Sequence, residues 1–102
     1  MVPAEVSVDR RLVELAQGGD REAFARLVAV VGDRLFATAH RILRDFDAAG
    51  DAYQSALVHI WRELPMLRDP DRFDAWSSRI LVRQCYTELR RARRHPVHRH
   101  WG

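Results

Sequence analysis

Between residues 52 and 64 the apolar side chains recur as adjacent pairs one helical turn apart. Ala52 and Tyr53, Ala56 and Leu57, Ile60 and Trp61, and then Leu64 hold this spacing without a break. A period near 3.6 residues places all of them on one stripe of an α-helix and leaves the other face to Asp51, Gln54, Ser55, Val58 and Arg62. Strands need alternation with a period of two, which no stretch of useful length provides, and there is no Asn-Gly or Asp-Gly hairpin signal. The repeat therefore points to an all-α chain, a compact bundle of about five helices.

Caps and periodicity place the other helices. The first is expected over about Asp9–Gln17, capped by Asp9 and ended by Gly18-Gly19. The second follows Asp20, with Glu22 in its first turn and Phe24, Leu27, Val28 and Val31 at helical spacing. Gly32-Asp33 reads as a break or bend, after which a third helix carries Leu35, Phe36, Ala39, Ile42 and Leu43. The fourth, over about Asp47–Leu64, contains the repeat above. Asp69-Pro70 restarts the chain, with Asp as cap and Pro where its missing N–H costs nothing, and a fifth helix runs to about Arg94, ahead of Pro96. The expected organisation is an N-terminal helix with its lead-in (1–19), a helical domain (20–94) and a flexible basic tail (95–102).

The chain has 102 residues, enough for one modest core. Its longest uninterrupted apolar run, Leu27 to Val31, is far short of the roughly 20 residues that cross a bilayer, so a membrane partner is not expected. Cys85 is alone, and a cytoplasmic setting is the simpler reading. Charge is distributed unevenly. Residues 1–78 carry 10 Arg against 13 Asp and Glu, whereas residues 79–102 carry 7 Arg against Glu88. Such a basic end suits a polyanion; a solvated helix end, where cations are stabilising anyway, is the competing reading. Arg79, Arg83 and Arg90 fall near one side of the fifth helix, and Arg91, Arg93 and Arg94 extend the basic run. Phe73, Trp76, Trp61 and Tyr53 fit core stripes better than stacking platforms, whereas Tyr86 can face either way. His95, His98 and His100 stand among arginines that oppose a divalent metal, and Cys85 has no adjacent histidine. With no phosphate loop or nucleophile constellation in view, the expectation is a non-enzymatic protein without a cofactor or metal.

Four stretches carry a resemblance to the second conserved region of sigma-70 family factors, in their extracytoplasmic-function branch. They are Asp20–Leu27; Arg41–Asp45; Asp51-Ala-Tyr-Gln54 with Ile60-Trp61-Arg62; and Leu67–Trp76 continued by Arg79-Ile80, Cys85-Tyr86 and Glu88–Arg91. The resemblance covers about 75 residues, and the order and spacing of the stretches make it specific. It implies a domain that docks on the clamp helices of the largest subunit of core RNA polymerase, binds the promoter −10 element and holds flipped bases of the non-template strand. It implies polymerase docking through Asp51 and Gln54, in a segment that also holds Arg62; Ser55 and Val58 share their helix face and complete the expected docking surface. For DNA the resemblance implies Met66, Leu67 and Arg68, in the connection that receives a flipped base; Arg79, Arg83, Arg90, Arg91, Arg93 and Arg94 are DNA candidates by their charge and position on the fifth helix, with Tyr86 beside them.

Departures from the family pattern shape the expectation. Acidic residues usually stand where this chain has Gly50 and Ser55, Asn often where it has Arg83, and Asp where it has Thr87. Two missing carboxylates predict weaker docking to a basic clamp surface. Complete factors of this branch continue into a helix-turn-helix, so the resemblance is to the region 2 domain only. Two functions stay open on these grounds: a transcription initiation domain, and a stand-alone sigma-like module acting as a decoy or binding an anti-sigma factor.

Overall fold

The computed structural model describes residues 8–94, and every regular element among them is helical. The order is α1 (Arg10–Gln17), α2 (Arg21–Leu43), α3 (Phe46–Glu63) and α4 (Phe73–Arg94), with short 3₁₀ turns at Leu64–Met66 and Pro70–Arg72. The lead-in over residues 1–7 and the basic tail over 95–102, with its three histidines, lie outside the described residues.

Local chemistry starts and stops each helix. The Asp9 carboxylate accepts from the Arg11 N–H at 2.9 Å, and Asp20 accepts from Ala23 at 3.0 Å. Asp45 accepts from Ala48 at 2.9 Å. Each bond satisfies an amide that the first helical turn leaves without a partner. Gly19, at φ 100°, turns the chain between α1 and α2 in a region that only glycine enters freely. Asp69 caps the Pro70 turn, as its sequence predicts, accepting from Asp71 at 3.0 Å.

Two of the expected five helices are one. The predicted break at Gly32-Asp33 does not occur, and α2 runs unbroken for 23 residues. The reason is packing. Gly32 is buried, and a Cβ there would lie 2.6 Å from the Tyr53 hydroxyl of α3. The glycine admits a crossing side chain, and the roughly 1 kcal/mol it costs inside a helix is outweighed by burial of Leu27, Val31, Leu35 and Ala39 around it. The predicted fifth helix also differs at its start, where Pro70–Arg72 is a 3₁₀ turn ahead of α4.

The core lies between α2, α3 and α4, with α1 laid against α2. On α3 the inward positions are Ala48, Ala49, Ala52, Ala56 and Ile60. Four alanines let the neighbouring helices approach closely, and the larger side chains come from elsewhere: Leu27, Leu35, Leu64, Phe73 and Leu81. Each of these larger groups contributes roughly 1.5–3 kcal/mol by leaving water. The consequence for function is geometric, because α3 and α4 each keep one face free of the core.

Candidate functional site

The free face of α3 carries all five predicted docking residues. Asp51, Gln54, Ser55, Val58 and Arg62 are exposed, at offsets of 0, 3, 4, 7 and 11 residues that helical geometry stacks along one strip. Val58 is an apolar side chain left 48% exposed in the middle of polar ones. Asp51 forms no ion pair among the described residues, so its acceptor capacity faces outward. Gly50 borders the strip, and a Cβ added there would meet nothing within 4 Å. Beside the strip, Trp61 tilts against Phe24 of α2 at a centroid distance of 4.9 Å, and with Arg21 they line a shallow groove.

The connection between α3 and α4 is anchored at two points and prominent between them. Leu64 is fully buried and Leu67 is half-buried against the core, whereas Met66 is 73% exposed and Arg68 is also exposed. Of the three predicted base-contacting residues here, Met66 and Arg68 therefore project, and Leu67 turns inward as an anchor. Gln17, from α1, donates through Nε2 to the Leu64 carbonyl at 3.1 Å and to the Leu67 carbonyl at 2.8 Å. The Arg10 guanidinium lies 2.9 Å from Asp71 and 3.8 Å from Asp69, on the far side of the same segment.

The free face of α4 gathers the predicted cations with one exception. Arg79, Arg83, Tyr86 and Arg90 are all exposed and fall within about 60° of arc at roughly 100° per residue. Arg93 and Arg94 continue the same side. Tyr86, which the sequence leaves undecided, is 52% exposed and sits between Arg83 and Arg90 on the outer face. Arg91 stands apart: it turns to the largely buried Glu88, its donor 2.9 Å from the carboxylate. Arg83 has a looser neighbour in Glu63 of α3, at 3.9 Å, and Glu63 also lies 3.4 Å from the His59 ring. Exposed pairs of this kind are worth at most about 1 kcal/mol and exchange readily for a better anion.

Other candidate groups are absorbed by the core. Phe73 is buried, and Tyr53 and Trp76 pack against the central cluster. Burial, and then the Glu88 carboxylate, push the Cys85 thiol above its ordinary pKa, the opposite of what an activated nucleophile needs. Burial likewise raises Tyr53, with a smaller contribution from Asp33. No cluster of three metal-ligating side chains occurs among the described residues, and none of the described helices is long and apolar enough to cross a membrane. Sequence reasoning passes over Gln17 and Arg10. Gln17 bonds to carbonyls 47 and 50 residues away, and a lone amide before a glycine pair carries no signal of that reach.

Comparison with known proteins gives these surfaces a context. A family model described as sigma-70 region 2 matches residues 27–95. The RNA polymerase sigma-H factor of Pseudomonas aeruginosa is 33% identical over 89 residues, covering 86% of this chain and 46% of that protein. The ECF RNA polymerase sigma factor SigM of Mycobacterium tuberculosis is 33% identical over 89 residues, covering 87% of this chain and 45% of the relative. The probable RNA polymerase sigma factor RfaY of Xanthomonas campestris pv. campestris is 30% identical over 82 residues, covering 80% of this chain and 20% of its own length. The chain thus spans less than half the length of each of these relatives. No solved structure gives a significant match.

Proposed function

The chain belongs to the sigma-70 region 2 family, and on that premise we propose that it is a transcription initiation domain that binds core RNA polymerase and opens promoter DNA at the −10 element. One observation carries the reading. The residues expected to dock share one exposed strip of α3, and all but one of the candidate DNA-binding cations share one exposed strip of α4. The fold can therefore offer a carboxylate and an amide to a protein partner and guanidinium groups to a nucleic acid without rearranging.

The chemistry of each surface suits its proposed partner. Asp51 and Gln54 accept hydrogen bonds from basic clamp helices of the largest polymerase subunit, the charge-assisted kind being the stronger, and Val58 supplies apolar contact between them. Arg79, Arg83, Arg90, Arg93 and Arg94 meet phosphate oxygens, which position the strand without reading it. Tyr86 offers a ring on which a base can stack. Met66 and Arg68 project from the connection toward a base drawn out of the duplex, whose extrusion costs a few kcal/mol of stacking that protein contacts must replace. The domain performs no catalytic step, the polymerase does the chemistry, and both act in the cytoplasm.

The test is co-purification with core polymerase, followed by binding to a single-stranded −10 oligonucleotide at two salt concentrations. Both interactions are expected, the second weakening as salt rises. DNA binding without polymerase binding would indicate a different nucleic-acid protein. The uncharged surface at Gly50 and Ser55 favours a second reading, a sigma-like decoy; capture of an anti-sigma factor in the absence of polymerase binding would select it.

A further inference from the structure

The α3–α4 connection is held by a helix that precedes the family match, which begins at residue 27. A single Gln17 amide nitrogen on α1 reaches two carbonyls of the connection, at 3.1 Å and 2.8 Å. The Leu64 carbonyl already accepts from Leu67 within the 3₁₀ turn, at 3.1 Å, so Gln17 fills its second acceptor position. The Leu67 carbonyl belongs to a residue in extended conformation, φ −69° and ψ 117°, outside any helical ladder. With Leu64 and Leu67 seated in or on the core and their carbonyls tied together, the two residues between them have little freedom. Met66, between them, points outward and is 73% exposed. Arg10 closes the other end of the segment through Asp69 and Asp71.

We propose that α1 is a brace for the Pro65–Asp69 connection, with Gln17 as a positioning residue that keeps Met66 and Arg68 preset to receive an unstacked base. The inference rests on the reading of this connection given above and adds to it a cause for its shape. A floppy receiver would have to be ordered by each incoming base. A braced one has that ordering already done, so more of the contact energy survives as affinity for the correct base. Backbone phosphate contacts on α4 do not depend on the connection, so the brace governs sequence preference and leaves general strand binding alone.

Three variants of the full chain separate hydrogen bonding from packing. Gln17→Met keeps length and volume but has no donor, Gln17→Ala removes both, and Gln17→Lys keeps donors on a flexible stem. The readouts are amide hydrogen exchange of a peptide covering residues 64–72 and the affinity ratio between a −10-like single strand and a scrambled strand of equal length. Gln17→Met and Gln17→Ala should speed exchange in that peptide alone and lower the ratio roughly tenfold, the scale of two hydrogen bonds, with scrambled-strand affinity unchanged. Gln17→Lys should restore much of both. Unchanged exchange in Gln17→Met, or a parallel loss of both affinities, overturns the brace. If the parent chain binds both strands equally, the reading of the connection fails, and base presentation by α1 falls with it even where exchange responds.

Discussion

Replacing Arg79, Arg83 and Arg90 together by Gln should flatten the salt dependence of single-strand binding by an amount the helix sets in advance. Eleven residues of α-helix separate the first and last of them, about 16 Å at 1.5 Å per residue. A single strand laid along α4 presents several phosphates over that length, so the three guanidinium groups can each meet one. Each neutralised phosphate adds about 0.7 to the slope of log affinity against log salt on a single strand, and three add about 2. Between 50 and 200 mM salt the triple variant should therefore lose about 16-fold less affinity than the parent. Glu63 near Arg83 does not change this, because an exposed pair at 3.9 Å yields readily to phosphate. Arg91→Gln is the internal control: its guanidinium is committed to Glu88 on another side of the helix, and the slope should stay within experimental error. Fluorescence anisotropy with a labelled oligonucleotide at four or five salt concentrations measures both. A triple variant with the parent slope, or an Arg91 variant that changes it as much as one stripe arginine, would refute the assignment of this face to DNA.

The remaining predictions concern stability. Gly50→Ala should stabilise the domain by about 0.5–1 kcal/mol, because Gly50 is helical and its added Cβ meets nothing; an unchanged or lower melting temperature would contradict this. Arg44 caps α2 in the left-handed region at φ 56°, a conformation costing a residue with a Cβ about 1–2 kcal/mol, so Arg44→Gly should raise the urea midpoint, and a clear fall would show that the guanidinium holds more than the strain removes. Cys85 and Tyr53 both titrate above their ordinary values in the fold. The fold therefore favours their neutral forms, and that contribution is complete below the unfolded values, about 8.5 and 10, and lost as pH rises through the folded ones. Stability should thus drop above about pH 9, with a smaller drop in Cys85→Ala, and a urea midpoint that is flat from pH 7 to 10.5 would be inconsistent with it.

What the sequence could reveal follows from the range of each interaction. Helix caps act over two or three residues, and Asp9, Asp20, Asp45 and Asp69 all cap in the structure. Asp45 is the one cap the sequence does not mark, because the apolar repeat places the helix start near Asp47. The role of Gly32 lies in a partner helix, so the sequence hides it: a glycine that admits Tyr53 and one that ends a helix look alike along the chain. Strip membership on α3 and α4 is a matter of period alone and was therefore legible, including the free face of Asp51 and Gln54. Arg91 was not separable from its neighbours, since only the burial of Glu88 one turn earlier decides where its guanidinium goes. Leu67 and Gln17 were invisible for the same reason at longer range: a connection gains its shape from whatever helix happens to lie beneath it.

The most direct test of the account is the affinity of core RNA polymerase for Asp51→Asn, measured beside Glu22→Gln, another exposed carboxylate, on α2 and off the docking strip. Loss of a charge-assisted contact worth about 1.5–3 kcal/mol should weaken Asp51→Asn by roughly tenfold or more and leave Glu22→Gln at the parent value. Equal affinities for the parent chain and both variants, or equal losses in both variants, would mean that the α3 strip is not where this domain meets the polymerase.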